Sequence, residues 1–326
     1  RVRFGMGYDN LGSESTGKGR GKFNIGMDNP LGINDFLGLA YTRGFNGKSD
    51  ENYSDSLLLN YRVPFKDWTF MTTQELSDYK ILIEGAKLSY DSEGKTFNQS
   101  YTLNKQIDYL KDMDENISVS LGLKNVNNYI QDVKLKNSSY KSAEASISYS
   151  ANKGIENGSL DGSVKYSQSI DVGGYSEVDK NFKAINLDFS LGKLYRKEKI
   201  GLIYTLSGQS QFVLKDVEER NEFSLGDENT MRGYKFDTYD GDRGLILSNT
   251  LSFVPVTENK VLQGMQVFTG LDYGTAYNLE DRDSEHLLGA SIGIKWNYKK
   301  TNISLTYARE IIKLNEDNEY EIYGIF

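Results

Sequence analysis

The chain has no cysteine, so it builds neither a disulfide framework nor a thiolate metal site. Its single histidine, His286, leaves no basis for a Ser-His-Asp relay or a His-rich metal centre. No apolar run approaches the roughly 18 residues that a membrane-spanning helix requires. The densest, Leu57-Leu58-Leu59, breaks at once. Cationic excess is missing too: 38 Lys and Arg face 46 Asp and Glu, a formal charge of −8 that excludes a nucleic-acid partner. Proline occurs only three times. The chain opens on Arg1 without an initiator Met or a signal peptide, as expected of a mature or truncated fragment. What is abundant is glycine, at 32 residues, and aromatics, at 12%, a composition foreign to disordered chains. Yet the mean hydropathy is −0.56, too polar for a large conventional core.

Period-two alternation resolves that tension. Leu288, Ala290, Ile292, Ile294, Trp296 and Tyr298 share one face, and Gly289, Ser291, Gly293, Lys295 and Asn297 the other. Ile117, Val119, Leu121 and Leu123 oppose Ser118, Ser120, Gly122 and Lys124, and Ile185, Leu187, Phe189 and Leu191 oppose Asn186, Asp188 and Ser190. The second face is expected to be small, polar or charged throughout. Such segments predict sixteen strands, near 1–9, 19–29, 34–44, 54–63, 67–79, 95–108, 115–128, 142–152, 158–170, 180–192, 199–212, 243–254, 264–278, 287–298, 301–310 and 317–326. Residues 80–94 read as the tall end of a hairpin rather than as a separate strand.

Connectors after odd strands are long or charged, as at 46–53, 131–141, 171–180, 214–242 and 279–286, whereas those after even strands are mostly short. Pro30, Pro64 and Pro255 are all assigned to the latter, where a missing N–H costs no ladder bond. Roughly ten-residue strands in even number, apolar outside and polar inside, predict an all-β fold: a transmembrane sixteen-stranded antiparallel β-barrel filling residues 1–326 as one domain. A soluble double-sheet sandwich shares the alternation with its apolar face inward, but sixteen strands exceed an ordinary sandwich. At the end of the chain Tyr320, Ile322, Gly324 and Phe326 share a face; Tyr320, Ile322 and the terminal Phe326 look like the C-terminal signal by which outer-membrane barrels are recognised for assembly.

The longest connector contains Phe223-Ser224-Leu225-Gly226, then Met231-Arg232-Gly233-Tyr234, and closes on Gly241-Asp242-Arg243-Gly244. The Met231–Tyr234 segment resembles the sixth-loop motif of the superfamily of outer-membrane insertion and translocation barrels. Gly241, Asp242 and Gly244 are similar to the exit from that loop in two-partner secretion transporters, the TpsB family. So are Asp9-Asn10-Leu11-Gly12 with Thr16-Gly17, and Asp28-Asn29-Pro30-Leu31-Gly32-Ile33-Asn34-Asp35. In the thirteenth strand Phe268, Gly270, Asp272 and Gly274 share the inward face. The resemblance implies that the sixth loop folds into the lumen and that Arg232 pairs with Asp272. The residue chemistry agrees, since guanidinium and carboxylate form a charge-assisted pair and neighbouring glycines admit a loop backbone.

The resemblance further implies an outer-membrane pore of Gram-negative cells, with loops on the cell surface. Such a pore passes a large unfolded exoprotein from periplasm to cell surface without nucleotide hydrolysis, cofactor or metal, and without enzymatic activity. Inward Lys124, Asp161, Lys165, Asn186, Asp188 and Lys295 are expected to keep the path wet. Expected partners are the exoprotein, outer-membrane lipid and the barrel-assembly machinery, with the chain as a monomer. The family's periplasmic POTRA domains and plug helix are not encoded in residues 1–326. A barrel-assembly insertase of the same superfamily and a passive porin are the alternatives. Gly289-Ala290-Ser291-Ile292-Gly293 fits a nucleophile-elbow pattern, but its Ser is expected mid-strand, without the strand-to-helix turn that chemistry needs. His286 is assigned to an acidic loop with 280–285.

Overall fold

The computed structural model describes residues 1–325 except 14, 47–48, 86–87, 176–181, 227–229, 235–237 and 313–319, with backbone only at 46, 49–51 and 320–325. Among the described residues the chain is all-β, with sixteen long strands and two short 3-10 turns. The first nine strands are β1 (Val2–Asp9), β2 (Gly19–Asp28), β3 (Phe36–Asn46), β4 (Ser49–Phe65), β5 (Trp68–Glu84), β6 (Ser89–Ile107), β7 (Asp114–Ile130), β8 (Tyr140–Ile155) and β9 (Gly158–Ser169). They are followed by β10 (Lys183–Lys197), β11 (Ile200–Val213), β12 (Arg243–Pro255), β13 (Met265–Tyr277), β14 (Ser284–Tyr298), β15 (Thr301–Ile312) and β16 (Tyr320–Ile325).

Contacts group the chain into two compact units. The first holds Arg1–Ile107, Asn116–Ile147 and Ser167–Phe182; the second holds Asp108–Glu115, Ser148–Tyr166 and Lys183–Phe326. Within the first, β1 to β6 form an antiparallel meander in which each strand pairs with its sequence neighbour. The segments singled out in its connectors shape those connectors. The buried Asp9 carboxylate accepts the Leu11 N–H at 3.0 Å and pairs with Arg20 at 2.7 Å and Lys22 at 2.6 Å. Asp35 accepts the Leu31 N–H at 3.2 Å and the Tyr61 hydroxyl at 2.9 Å, while Asn29 accepts the Asn34 N–H at 2.7 Å.

In the second unit, β10 to β16 continue the same pattern. Alternation becomes exposure: on β13, Val267 and Leu271 are 41% and 47% exposed, whereas Phe268 and Asp272 are 4% and 1%. The apolar face is therefore outermost, where a bilayer replaces water, and the polar face is covered. On the polar face Asn186 donates to Gln211 at 3.2 Å, Ser163 to Asp188 at 3.2 Å, and the Lys295 ammonium lies 5.1 Å from the Phe268 ring centre.

Several boundaries differ from expectation. Ladder pairing runs on through Lys80↔Glu93 to Glu84↔Ser89, so most of 80–94 is strand, fastened by Lys80 to Asp91 and Glu93. Likewise β4 begins at Ser49, inside the stretch assigned to a loop. Charged residues sit comfortably in these segments because a ladder rising beyond the bilayer is wet on both faces. β10 extends to Lys197, since Leu194 and Tyr195 still pair with Ile203 and Leu202. Pro64 and Pro255 are strand residues rather than connector residues. Each lies beyond the last residue pairing with one neighbour, Arg62 toward β3 and Phe253 toward β13, so its missing N–H faces no partner strand. His286 is likewise in β14, where its Nδ1 lies 3.0 Å from the Tyr273 hydroxyl. Ser291 is mid-strand in β14.

Candidate functional site

The site lies wholly within the second unit. The connector between β11 and β12, residues 214–242, is loop 6, and it carries a small hairpin in which Phe223–Leu225 pairs with Tyr239–Gly241. From there the loop lies on the inner face of β12 to β15. Arg232 is the centre of the contact. Its Nε donates to Asp272 Oδ2 at 2.6 Å, its Nη2 to Asp272 Oδ1, and its backbone N–H to Oδ2 at 3.0 Å. This fork is a bidentate, charge-assisted pair, and the Asp272 side chain is almost fully buried while that of Arg232 is 20% exposed. The guanidinium also donates to Thr250 Oγ1 and to the Asn249 carbonyl, both at 3.1 Å, so it ties β12 to β13 as well.

Glycines make the approach close enough. A Cβ on Gly270 would collide with the Arg232 guanidinium, one on Gly289 with the Arg232 carbonyl oxygen, and one on Gly274 with Met231. Gly233 has φ +101°, a conformation open to glycine, and an added Cβ would meet the β15 backbone at Arg309 at 2.6 Å. Tyr234 then inserts where the β14–β15 register shifts between Leu288 and Gly289. Its hydroxyl accepts the Leu288 N–H at 3.0 Å and donates toward the carbonyls of Leu288 and Ile312. A hydroxyl thus serves ladder groups that a bulge would leave unmatched.

A small apolar core forms under the loop: Leu225, Met231, Tyr234, Ile246, Ala276 and Leu287, with Phe223 and Tyr239 beside it. The inward face is therefore not polar throughout. Ile246 and Leu287 point inward and are 4% and 0% exposed because loop 6, not water, covers them. Burial of each such large side chain contributes about 1.5–3 kcal/mol to holding the loop down.

At the loop exit, Asp242 is buried and its two oxygens accept the N–H groups of Val217 and Leu279, both at 2.6 Å. It joins the start of loop 6 to the loop after β13. Gly244 leaves room for the Phe223 ring, and Gly241 approaches the Tyr277 backbone at 3.1 Å from its would-be Cβ. Burial, reinforced by Asp240, Asp242 and Glu219, pushes the Glu222 carboxyl above its ordinary range. The raised value means that packing penalises the ionised form, so the native loop gains from this group at low pH and loses that gain as pH rises through its folded value. Glu222→Gln is accordingly expected to slow proteolysis of loop 6 relative to the unsubstituted protein at pH 8 and to leave it unchanged at pH 4. Equal rates at both pH values would contradict this.

Of the residues expected from sequence, Met231 meets Gly274 and Arg232 meets Gly270 and Asp272, with Phe268 on the same buried face, whereas Gly233 and Tyr234 meet β15 and β14 instead. Tyr320 and Ile322 lie in β16, and Phe326 lies outside the described residues. Thr250, the Asn249 carbonyl and Gly289 were not expected in the site. For Gly289 a signal existed, since Gly289 and Gly293 flank Ser291 on the inward face of β14 as Gly270 and Gly274 flank Asp272 on that of β13.

Residues 1–296 match the family model described as haemolysin secretion/activation protein ShlB/FhaC/HecB. The chain is 24% identical over 300 residues to outer membrane transporter CdiB-2 of Burkholderia pseudomallei (strain 1026b), covering 88% of this chain and 50% of that protein. It is 25% identical over 321 residues to hemolysin transporter protein ShlB of Serratia marcescens, covering 95% and 56%. The chain thus spans about half the length of the curated relatives it matches. The solved structure of CdiB from Escherichia coli superposes with a TM-score of 0.87 at 19% identity, over 99% of this chain and 62% of that one. That likeness carries the fold, an antiparallel sixteen-stranded β-barrel.

Proposed function

Because the chain belongs to the ShlB/FhaC/HecB family of haemolysin secretion/activation proteins and is an integral outer-membrane barrel, we propose that it forms the pore of a two-partner secretion transporter. In this reading an unfolded exoprotein passes from periplasm to cell surface through the barrel. The outer membrane offers no nucleotide, and folding of the cargo outside supplies the drive. The barrel is a pore rather than an enzyme, and residues 1–326 work as one domain and as a monomer in outer-membrane lipid.

The observation that carries the reading is the Arg232–Asp272 pair beneath loop 6. A passive porin needs no loop fastened to one strand by a buried ion pair, whereas a conduit that must pass a chain and then reseal needs an element that is held and released. Loop 6 is that element, and Gly241, Asp242 and Gly244 fix its return to β12. The test is export, by the full-length transporter, of a large candidate exoprotein from the same cells. Cells carrying both are expected to release the exoprotein into the medium, and cells lacking the transporter to retain it in the periplasm. Equal release from both would overturn the proposal.

A further inference from the structure

The apolar outward face of β10, with Ile185, Leu187 and Phe189 exposed by 38–49%, continues by period two into Lys193, Tyr195 and Lys197. Across the ladder Tyr195 faces Leu202 and Lys197 faces Ile200, and Leu202 faces Phe253 in turn. The outward surface therefore ends in an apolar patch with a lysine on either side of Tyr195. Around the two-residue turn at 198–199, a recess of about 570 Å³ is lined by Tyr195, Lys197, Lys199, Ile200 and Leu202. The Lys193 ammonium lies 5.4 Å from the Tyr195 ring centre, so its stem leans along the apolar surface toward the strand end. Lys193, Arg196, Lys197 and Lys199 against Glu198 give four positive charges and one negative, a local net of +3 in a chain of net −8. None of these four cations is in an ion pair among the described residues.

We propose that this turn is a binding site for an anionic glycerophospholipid of the periplasmic leaflet. Short turns of such barrels lie on the periplasmic side, which places Lys197, Lys199 and Ile200 at headgroup depth and the row of Tyr195, Leu202 and Phe253 at the depth of the upper acyl chains, with the Lys193 ammonium drawn from below toward the Tyr195 ring. Charge complementarity selects the headgroup, and the contiguous apolar surface selects a lipid over a soluble anion. Tyr195, aromatic and carrying a hydroxyl, bridges the two zones. The proposal rests on the outer-membrane placement and is independent of the translocation role.

The probe is phosphatidylglycerol, titrated against phosphatidylcholine into the purified chain in dodecyl maltoside, with bound lipids counted by native mass spectrometry. The chain is expected to retain phosphatidylglycerol preferentially. Lys193→Gln/Lys197→Gln/Lys199→Gln should reduce that preference by about tenfold or more, since each cation near an anionic surface is worth a several-fold effect. Lys299→Gln/Lys300→Gln, at the β14–β15 turn, should leave it intact, and circular dichroism should report the same β content for all three proteins. Inorganic phosphate at equal concentration should not displace the lipid. An undiminished preference in the triple variant, an equal loss in the Lys299/Lys300 variant, or displacement by phosphate would overturn the site.

Discussion

Arg232→Ala is expected to release loop 6 from the barrel wall. Without the guanidinium the buried Asp272 carboxylate keeps only the Arg232 backbone N–H among its three loop contacts, and Thr250 Oγ1 and the Asn249 carbonyl lose their donors. Stranding one member of a buried pair costs about 3–5 kcal/mol, and the partial exposure of Arg232 places this case near 3. A shift of that size changes the ratio of docked to undocked loop by about a hundredfold. In the full-length transporter the substitution should abolish most secretion, alter channel conductance in planar bilayers and expose loop 6 to added protease. Asp272→Ala should do the same. Arg232→Lys should recover only part, because one ammonium cannot reproduce the two-pronged contact. Wild-type conductance and secretion in the Ala variants would remove the role assigned to the pair.

Gly289→Val is expected to act almost as strongly without touching a charge. The added Cβ meets the carbonyl oxygen of Arg232, a backbone atom that moves only if the loop moves. Overpacking costs roughly 1–3 kcal/mol where neighbours adjust, and more is expected where the obstruction is backbone. Loop 6 should become protease-sensitive and secretion should fall, with the strands themselves intact by circular dichroism. Gly162→Ala provides the comparison, since its Cβ meets only the Asp188 carbonyl oxygen at 3.9 Å. If Gly289→Val secretes like Gly162→Ala, the close approach of loop and strand is not needed for function.

The sixteen strands were legible because a bilayer-facing wall forces period two on every segment, and a one-residue error would turn Leu271 inward and Asp272 into lipid. The inward placement of Asp272 followed from the same rule. What periodicity could not show was contact made by a loop. Ile246 and Leu287 break the polar pattern of the inner face, and only the arrival of Leu225 and Met231 from loop 6 explains why they are dry. Thr250 and Gly289 likewise acquire their place from Arg232, which is distant in sequence. Residues 80–94 are the tall end of the β5–β6 hairpin as expected, but the strands run further into it than alternation predicts, because Lys80, Asp91 and Glu93 interrupt the apolar pattern there.

The most direct test of loop 6 as a held and released element is a double-mutant cycle read by secretion. Arg232→Ala, Asp272→Ala and the double variant are compared in the full-length transporter at equal outer-membrane abundance. If the two side chains act only through each other, the double variant should secrete no less than either single variant, because the second substitution removes the charge that the first one stranded. Losses that multiply in the double variant would show that Arg232 and Asp272 act independently, and would contradict the account.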